Sequence, residues 1–339
     1  MSLLVTHIDD DGKASAAIAL REMFPFDVRP EAADIVYYNY WHTPIAPDHE
    51  FHEHEKVVIV DLSLDDWVFN LIKRAVEAGC QVVHVDHHVT TQEYINAMTP
   101  DDKAIYDKVY TVYHTKFSAT MLCWIWSCAH QDERDSIEDT IADIIDFSED
   151  WKLIVFYPGQ GEKERIYKIP DVVRYIDDWD IWRFDIQQTK AFHYGFNTEL
   201  EKNPDAKLWD ELLYNYNAPI IVNKKYLEPG KAIEKNLESE YAILRKMAFE
   251  TMIPLPRFEA LSCIAINGIS NSFAFGDLLN TYDVAVLFHY DGPQGNWKYS
   301  IYSRNTPDGI DVSKIAEAFD GGGHPHAAGF RTKKNIFDI

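Results

Sequence analysis

The chain has 339 residues, 46% hydrophobic and 14% aromatic, a composition that buries a core and excludes a disordered protein. Its net charge of −23, from 55 acidic and 32 basic residues, is opposite to the balance that neutralises long nucleic acid. The first residues, Met1 to His7, lack the basic-then-apolar pattern of a signal peptide; no apolar run reaches the roughly 18–20 residues that span a bilayer, so a cytoplasmic protein without membrane contact is expected.

In chain order, Leu3-Leu4-Val5-Thr6-His7 reads as a short apolar strand. Lys13 to Leu20 follows as a good helix former. His42, His49, His52 and His54 lie in a stretch rich in Pro and Glu, which reads as a solvated loop rather than a second metal site. Val57-Val58-Ile59-Val60 is a fully apolar strand, and a helix from Asp66 is expected to stop at Gly79. Gln81 to Val85 is the next strand. Apolar strands separated by helices imply a parallel sheet covered on both faces.

Further helices are expected around Ser118–His130, with Ser118 as N-cap, and over Ser136–Phe147. Cys80, Cys123, Cys128 and Cys263 lack zinc-ligand spacing, and Cys123 and Cys128 read as buried free thiols. After Phe196 the composition turns to Asn, Pro and charge, which marks a boundary. Tyr226–Glu250 then reads as one long helix with Ile233, Leu237, Tyr241, Leu244 and Met247 apolar. Strands return at Leu261–Ile266, Val284–His289 and Trp297–Ser303, and a short helix, Val312–Phe319, precedes Gly321-Gly322-Gly323. The expected organisation is an α/β protein: a parallel-sheet domain over 1–196, a linker with a long connecting helix over 197–252, and a smaller α/β domain over 253–339.

His7, Asp9 and Asp11 recur at every second residue, a spacing that puts all three on one side of an extended segment. The second apolar strand ends in Asp61 and the third in Asp86-His87-His88. Three strand ends bearing acid or imidazole converge on the carboxyl edge of a parallel sheet, where such sheets bind ligands. Carboxylate and imidazole without thiolate suit Mn²⁺ or Mg²⁺. Two such ions sharing a carboxylate supply the charge and activated water that phosphoester hydrolysis needs.

His7-x-Asp9-x-Asp11-Gly12, Asp61 and Asp86-His87-His88 resemble the first three motifs of the DHH phosphoesterase family. Asp320-Gly321-Gly322-Gly323-His324-Pro325-His326-Ala327-Ala328-Gly329-Phe330 resembles the glycine-rich motif of its C-terminal partner, the DHHA1 domain. The likeness is to the oligoribonuclease or cyclic-nucleotide phosphodiesterase branch. It implies a DHH domain followed by a DHHA1 domain, with the active site in the cleft between them.

The resemblance further implies one metal at His7, Asp9 and Asp61, and another at Asp11, Asp61, His87 and a fourth-motif aspartate. In Tyr175-Ile176-Asp177-Asp178-Trp179-Asp180 that aspartate is taken as Asp178, with Asp180 as the alternative. His88 is expected to face the scissile phosphate and Asp61 to bridge two Mn²⁺ ions, Mg²⁺ being the alternative. Gly321, Gly322, Gly323, His324 and Arg304 are expected to contact substrate. Asp320 stands where relatives usually carry a fourth glycine, which puts a carboxylate beside an anion site. The expected activity is phosphodiester hydrolysis of short oligoribonucleotides or cyclic or linear dinucleotides, not of long nucleic acid. The rivals are a 3',5'-bisphosphate nucleotide phosphatase and a non-catalytic nucleotide-binding regulator.

Overall fold

The computed structural model describes residues 2–24, 30–31, 34–39, 49–128, 152–155, 165–255, 258, 261–304, 306 and 308–337. The chain divides into two compact units, Met1–Ala232 and Ile233–Ile339. The helix expected over Ser136–Phe147, together with His42, lies outside the described residues. Among them, no helix is long and apolar enough to cross a membrane.

In the first unit, β1 (Ser2–His7), β2 (Ile35–Tyr38), β3 (Lys56–Val60), β4 (Gln81–Asp86) and β5 (Tyr110–Tyr113) form one sheet in the order β2-β1-β3-β4-β5. Every pairing in it is parallel. Successive residues of one strand serve opposite faces, which is why the strands read as unbroken apolar runs. Leu4, Val58, Val60, Val83 and Val85 join one core with Ile18 and Met121. Leu3, Val5, Val57, Ile59 and Val82 join a second with Val68 and Ile72.

Helix α1 (Asp10–Glu22) is buried along nearly its whole length; its small residues Ala14, Ala16, Ala17 and Ala19 let it sit close beneath its neighbours. Helix α2 (Asp66–Glu77) begins at its N-cap Asp65, whose carboxylate accepts from the Val68 amide, and ends before Gly79 at φ +83°. That left-handed turn is one glycine adopts without strain. Chain order along the sheet reverses at β1: β2 lies on one side of it, β3 and β4 on the other. The crevice at such a switch point is where open α/β sheets bind ligands.

Helices α3 (Val89–Ala97), α4 (Pro100–Tyr106) and α5 (Ala119–Cys128) follow, then the hairpin β6 (Lys152–Val155) and β7 (Arg165–Lys168). Ser118 caps α5, its hydroxyl accepting from the Met121 amide. Helices α6 (Asp171–Asp180), α7 (Thr189–Phe196), α8 (Lys207–Leu213) and α9 (Ala218–Val222) complete the unit. Leu208, Trp209, Leu212, Val222 and Tyr226 enter its first core, so packing carries the unit well beyond the composition change at Phe196.

The helix expected over Tyr226–Glu250 is shorter and compound. One π-helical turn, Asn223–Leu227, leads into α10 (Glu228–Lys246). The segment then extends as β8 (Phe249–Thr251), because its backbone pairs with β9 (Cys263–Asn267). After the short helix α11 (Leu278–Thr281) come β10 (Val284–Asp291), β11 (Asn296–Tyr302), α12 (Ser313–Glu317), β12 (Gly322–His324) and β13 (Ala327–Thr332). The second unit's sheet runs β12-β13-β11-β10-β9-β8 and is mixed, β9 and β10 being its parallel pair.

Candidate metal centre

The strand ends build the site. Asp9 is the N-cap of α1: one carboxylate oxygen accepts from the Gly12 amide at 2.9 Å, and the other lies 2.7 Å from His7 Nδ1. A Cβ on Gly12 would lie 2.4 Å from the His7 carbonyl oxygen; only glycine lets the helix start this close to the strand end. Asp11, in the first turn, is buried and accepts the Ala119 and Thr120 amides, each at 2.9 Å. Those amides open α5, so a helix N-terminus stabilises the carboxylate charge.

Asp61 follows β3 in the left-handed conformation, φ +56°, and its amide donates to the Val85 carbonyl. For a non-glycine residue this costs on the order of 1–2 kcal/mol. The conformation turns the carboxylate into the crevice, with Oδ1 3.3 Å from His87 Nε2 and Oδ2 3.8 Å from His7 Nδ1. Asp86 ends β4 and holds His88: Asp86 Oδ1 lies 2.7 Å from His88 Nδ1, and Asp86 Oδ2 accepts from the Thr91 hydroxyl and the His88 amide.

The fourth motif corrects the choice of Asp178. Its carboxylate faces away from the crevice, accepting from the Asp185 and Ile186 amides at 2.9 and 3.2 Å and from the Thr189 hydroxyl. Asp180 instead reaches the cluster, its Oδ2 3.3 Å from His87 Nε2. Residues two apart on a helix point about 200° apart, so only one of the pair can face the crevice. Asp178 lies three residues after Tyr175, which stacks on Phe192 of α7 at 4.8 Å. Asp178 is fully buried and Asp180 only partly so, so the apolar period of the helix does not by itself single out the residue that meets the cluster.

Three groups of ligating atoms result: His7, Asp9 and Asp61; Asp61, His87 and His88; and Asp11, His87 and Asp180, the atoms of each lying within 4.8 Å of one another. Burial and the neighbouring carboxylates Asp11 and Asp9 raise the pKa of both Asp61 and Asp180 well above the ordinary carboxylate value. Asp61 Oδ2 and Asp180 Oδ2 are buried without a hydrogen-bond partner. Crowded, unsatisfied carboxylates are costly unless a cation compensates them. The donor set fits divalent metal: oxygen and imidazole nitrogen, no sulfur, and one carboxylate, Asp61, common to two groups.

The imidazoles differ. Burial, then the charge of His88, lowers the pKa of His87, favouring the neutral form that ligates. For His88, burial is outweighed by the hydrogen bond and charge of Asp86, and its pKa rises. Asp9, against the opposing effect of desolvation, is lowered to about 2 by the hydrogen bond and charge of His7 and by the Gly12 amide. Asp86 as the residue that orients His88 was overlooked in the sequence, although it stands in the same motif.

Beside the carboxylates, still within the first unit, lies a cavity of about 320 Å³ lined by Asp9, Asp11 and Asp180 and by the rings of Tyr175, Trp179, Phe192 and His193. Trp179 and His193 stack with ring centroids 3.5 Å apart and planes 9° apart. His193 Nε2 is 2.8 Å from the Asn197 amide nitrogen; burial and the charge of Lys202 lower its pKa to about 4.

In the second unit, β12 pairs with β13 so that Gly323 faces Ala328 and His324 faces Ala327, and Ala327 in turn faces Tyr302 of β11. This register brings the glycine-rich strand and the chain just before Arg304 to one end of the sheet. The His324 side chain lies outside the described residues. Cβ atoms on Gly321 and Gly323 would meet the Gly329 carbonyl oxygen at 2.3 Å and Ala328 Cα at 2.5 Å, whereas at Gly322 nothing lies within 4 Å. Two of the three glycines therefore serve the fold, and Gly322 faces open space. Asp320 has φ +59°, and the Gly321 amide closes the end of α12 on the Ala316 carbonyl. The left-handed residue ending a helix is most often glycine, which accounts for the fourth glycine of the resembling motif.

Residues 264–338 match the family model of the DHHA1 domain. An uncharacterized protein of Acanthamoeba polyphaga mimivirus is 32% identical over 172 residues, which is 48% of this chain. The chain spans 37% of the length of that curated relative. Among solved structures, the DHH domain of a protein assigned to a family of ribosomal proteins is similar at 15% identity with a TM-score of 0.52, covering 97% of this chain and 82% of that one. A pGpG-specific phosphodiesterase, PggH, of Vibrio cholerae aligns at 11% identity with a TM-score of 0.47, covering 98% of this chain and 93% of that one. Residues 264–338 thus match the DHHA1 domain family, and the fold of the chain is similar to that of a solved DHH-domain protein, in keeping with the order of the sequence motifs.

Proposed function

We propose that the protein is a phosphodiesterase dependent on two divalent ions, Mn²⁺ by preference, that hydrolyses short oligoribonucleotides or cyclic or linear dinucleotides. The observation that carries this reading is Asp61, a buried carboxylate common to two ligand groups with one oxygen unpartnered. His7, Asp9 and Asp61 would hold one ion; Asp11, Asp61, His87 and Asp180 would hold the other. When bound, such a pair polarises a phosphoryl oxygen and activates water for in-line displacement.

The protein's own groups do the rest. His88, its pKa raised by the hydrogen bond and charge of Asp86 and lying next to Asp61, would donate to a phosphate oxygen as negative charge develops there. The Ala119 and Thr120 amides at the start of α5 hold the Asp11 carboxylate in place. Arg304, the open Gly322 and His324 serve substrate recognition in the DHHA1 unit. The net charge of −23 supports a short substrate over a long strand.

The test is a hydrolysis screen with purified protein, Mn²⁺ and chelator controls, across dinucleotides, oligoribonucleotides of increasing length, cyclic dinucleotides and 3',5'-bisphosphate nucleotides. Mn²⁺-dependent cleavage that falls with chain length supports the proposal. Cleavage confined to bisphosphate nucleotides would move the protein to the phosphomonoesterases. Nucleotide binding without turnover under every metal would make it a regulator.

A further inference from the structure

The aromatic residues of the cavity beside the carboxylates have no part in the ligand set. Its volume of about 320 Å³ lies at the small end of ligand sites, roughly 300–1,000 Å³. Its walls differ in chemistry. Asp9, Asp11 and Asp180 belong both to its lining and to the candidate metal centre, while Tyr175, Trp179, Phe192 and His193 supply ring surface. Lys13 and Lys202 also line it, and Lys202 is tied to Asp10 by an ion pair. Trp179 and Asp180 are consecutive, so the helix that delivers a carboxylate to the cluster delivers an indole to the cavity.

A planar, uncharged, partly polar group held next to a phosphate fits this combination, and a nucleobase is such a group. We infer that the cavity of Trp179 and His193 is a nucleobase subsite within the DHH unit, taking the base of a nucleoside that flanks the scissile phosphate. The inference rests on the proposed phosphodiesterase activity and deepens it by assigning a base contact to the first unit. Stacked rings accept any base, because every base offers a π-face. The subsite therefore demands the presence of a base more than its identity. Asn197 keeps the imidazole edge-bonded at Nε2 and its plane parallel to the indole, so the ring pair is set before ligand arrives.

The experiment compares intact dinucleotides with dinucleotides in which one nucleoside is an abasic ribose, using wild type, His193→Leu and His193→Phe. In the wild type, removing the base from one position should lower kcat/KM about tenfold to a hundredfold. His193→Leu should lower kcat/KM for the intact substrate by about tenfold and show a smaller intact-to-abasic ratio. His193→Phe, which keeps a stacked ring, should restore most of the ratio. Thermal midpoint and Mn²⁺ affinity serve as controls for folding and for the metal centre. An unchanged intact-to-abasic ratio in correctly folded His193→Leu overturns the subsite.

Calorimetric titration with adenosine monophosphate, in Ca²⁺ to avoid turnover, separates the subsite from the activity. If the wild type cleaves no phosphoester, the phosphodiesterase reading fails. Nucleotide binding weakened about tenfold by His193→Leu and regained by His193→Phe would then still support the base subsite, and binding indifferent to both variants would remove it. Trp179→Leu provides the second probe of the ring pair, judged by the same ratio and the same titration, and must agree with His193→Leu.

Discussion

Replacing Asp61 by asparagine removes one negative charge from the place where the carboxylates crowd most closely, and little else. Asparagine matches aspartate in shape and tolerates the left-handed φ of +56° found there. Burial and repulsion from Asp11, Asp9 and Asp180 make the Asp61 charge unfavourable without a cation, so the metal-free variant should melt at the wild-type temperature or above it. With metal the order should reverse. One ion held at a hundred times its Kd stabilises a fold by about 2.7 kcal/mol. In a unit of this size, roughly 150–250 residues, each 1 kcal/mol shifts the melting temperature by about 2–4 °C, so wild type should gain roughly 5–11 °C per ion. Asp61 belongs to two ligand groups, and Asp61→Asn should lose most of the shift for both ions and all measurable turnover. Differential scanning fluorimetry with chelator and with graded Mn²⁺ reads this directly. A full Mn²⁺ shift in the variant would refute the shared-ligand geometry, and a metal-free melting point many degrees lower would make Asp61 a structural residue.

Asp180→Asn should weaken metal binding at least tenfold with little cost to the metal-free fold. Asp178→Ala should leave metal affinity near wild type but destabilise by on the order of 2–3 kcal/mol, since it strands the Asp185 and Ile186 amides and the Thr189 hydroxyl; metal titration and urea denaturation of both variants check the assignment. Metal-free stability should fall as pH rises above 3.8, because Asp61 and Asp180 have raised pKa values in the fold and stability held by their protons is lost as those protons leave. Asp9 acts in the opposite sense in a lower window, its contribution present above 3.8 and lost as pH falls towards about 2. Urea midpoints with chelator should show this fall, and saturating Mn²⁺ should remove it. Gly322→Val, facing open space, should leave the melting temperature within about 1–2 °C while lowering kcat/KM; a variant that unfolds, or that turns over normally on every substrate, removes Gly322 from substrate recognition. Asp320→Gly should stabilise by about 0.5–1 kcal/mol through relief of its left-handed strain, measured by thermal melting.

Much of the site was legible before any fold was known, because its chemistry is concentrated at strand ends. Unbroken apolar runs such as Val57 to Val60 mark strands buried on both faces, and the residues next after each run must lie at the sheet's carboxyl edge. That logic brings His7, Asp9, Asp61, His87 and His88 to one candidate site, where they lie in shared ligand groups, and the order of the motifs carries the resemblance to DHH and DHHA1 proteins. The short edge strands at Ile35–Tyr38 and Tyr110–Tyr113 escaped notice, since each spans four residues of mixed burial with little periodicity to read.

The tertiary structure decided which of several equivalent side chains faces which partner. Asp178 and Asp180 are chemically identical and two residues apart; the packing of α6 against α7 through Tyr175 and Phe192 sends one to cap a loop and the other to the cluster. Three consecutive glycines look alike in the sequence, but strand pairing leaves Gly321 and Gly323 against backbone and only Gly322 open. The stacking of Trp179 on His193, fourteen positions apart, depends on two helices meeting side by side. Composition and periodicity fix which face of an element is apolar; the direction of a single polar side chain is fixed by the element it packs against, and that neighbour is a property of the whole fold.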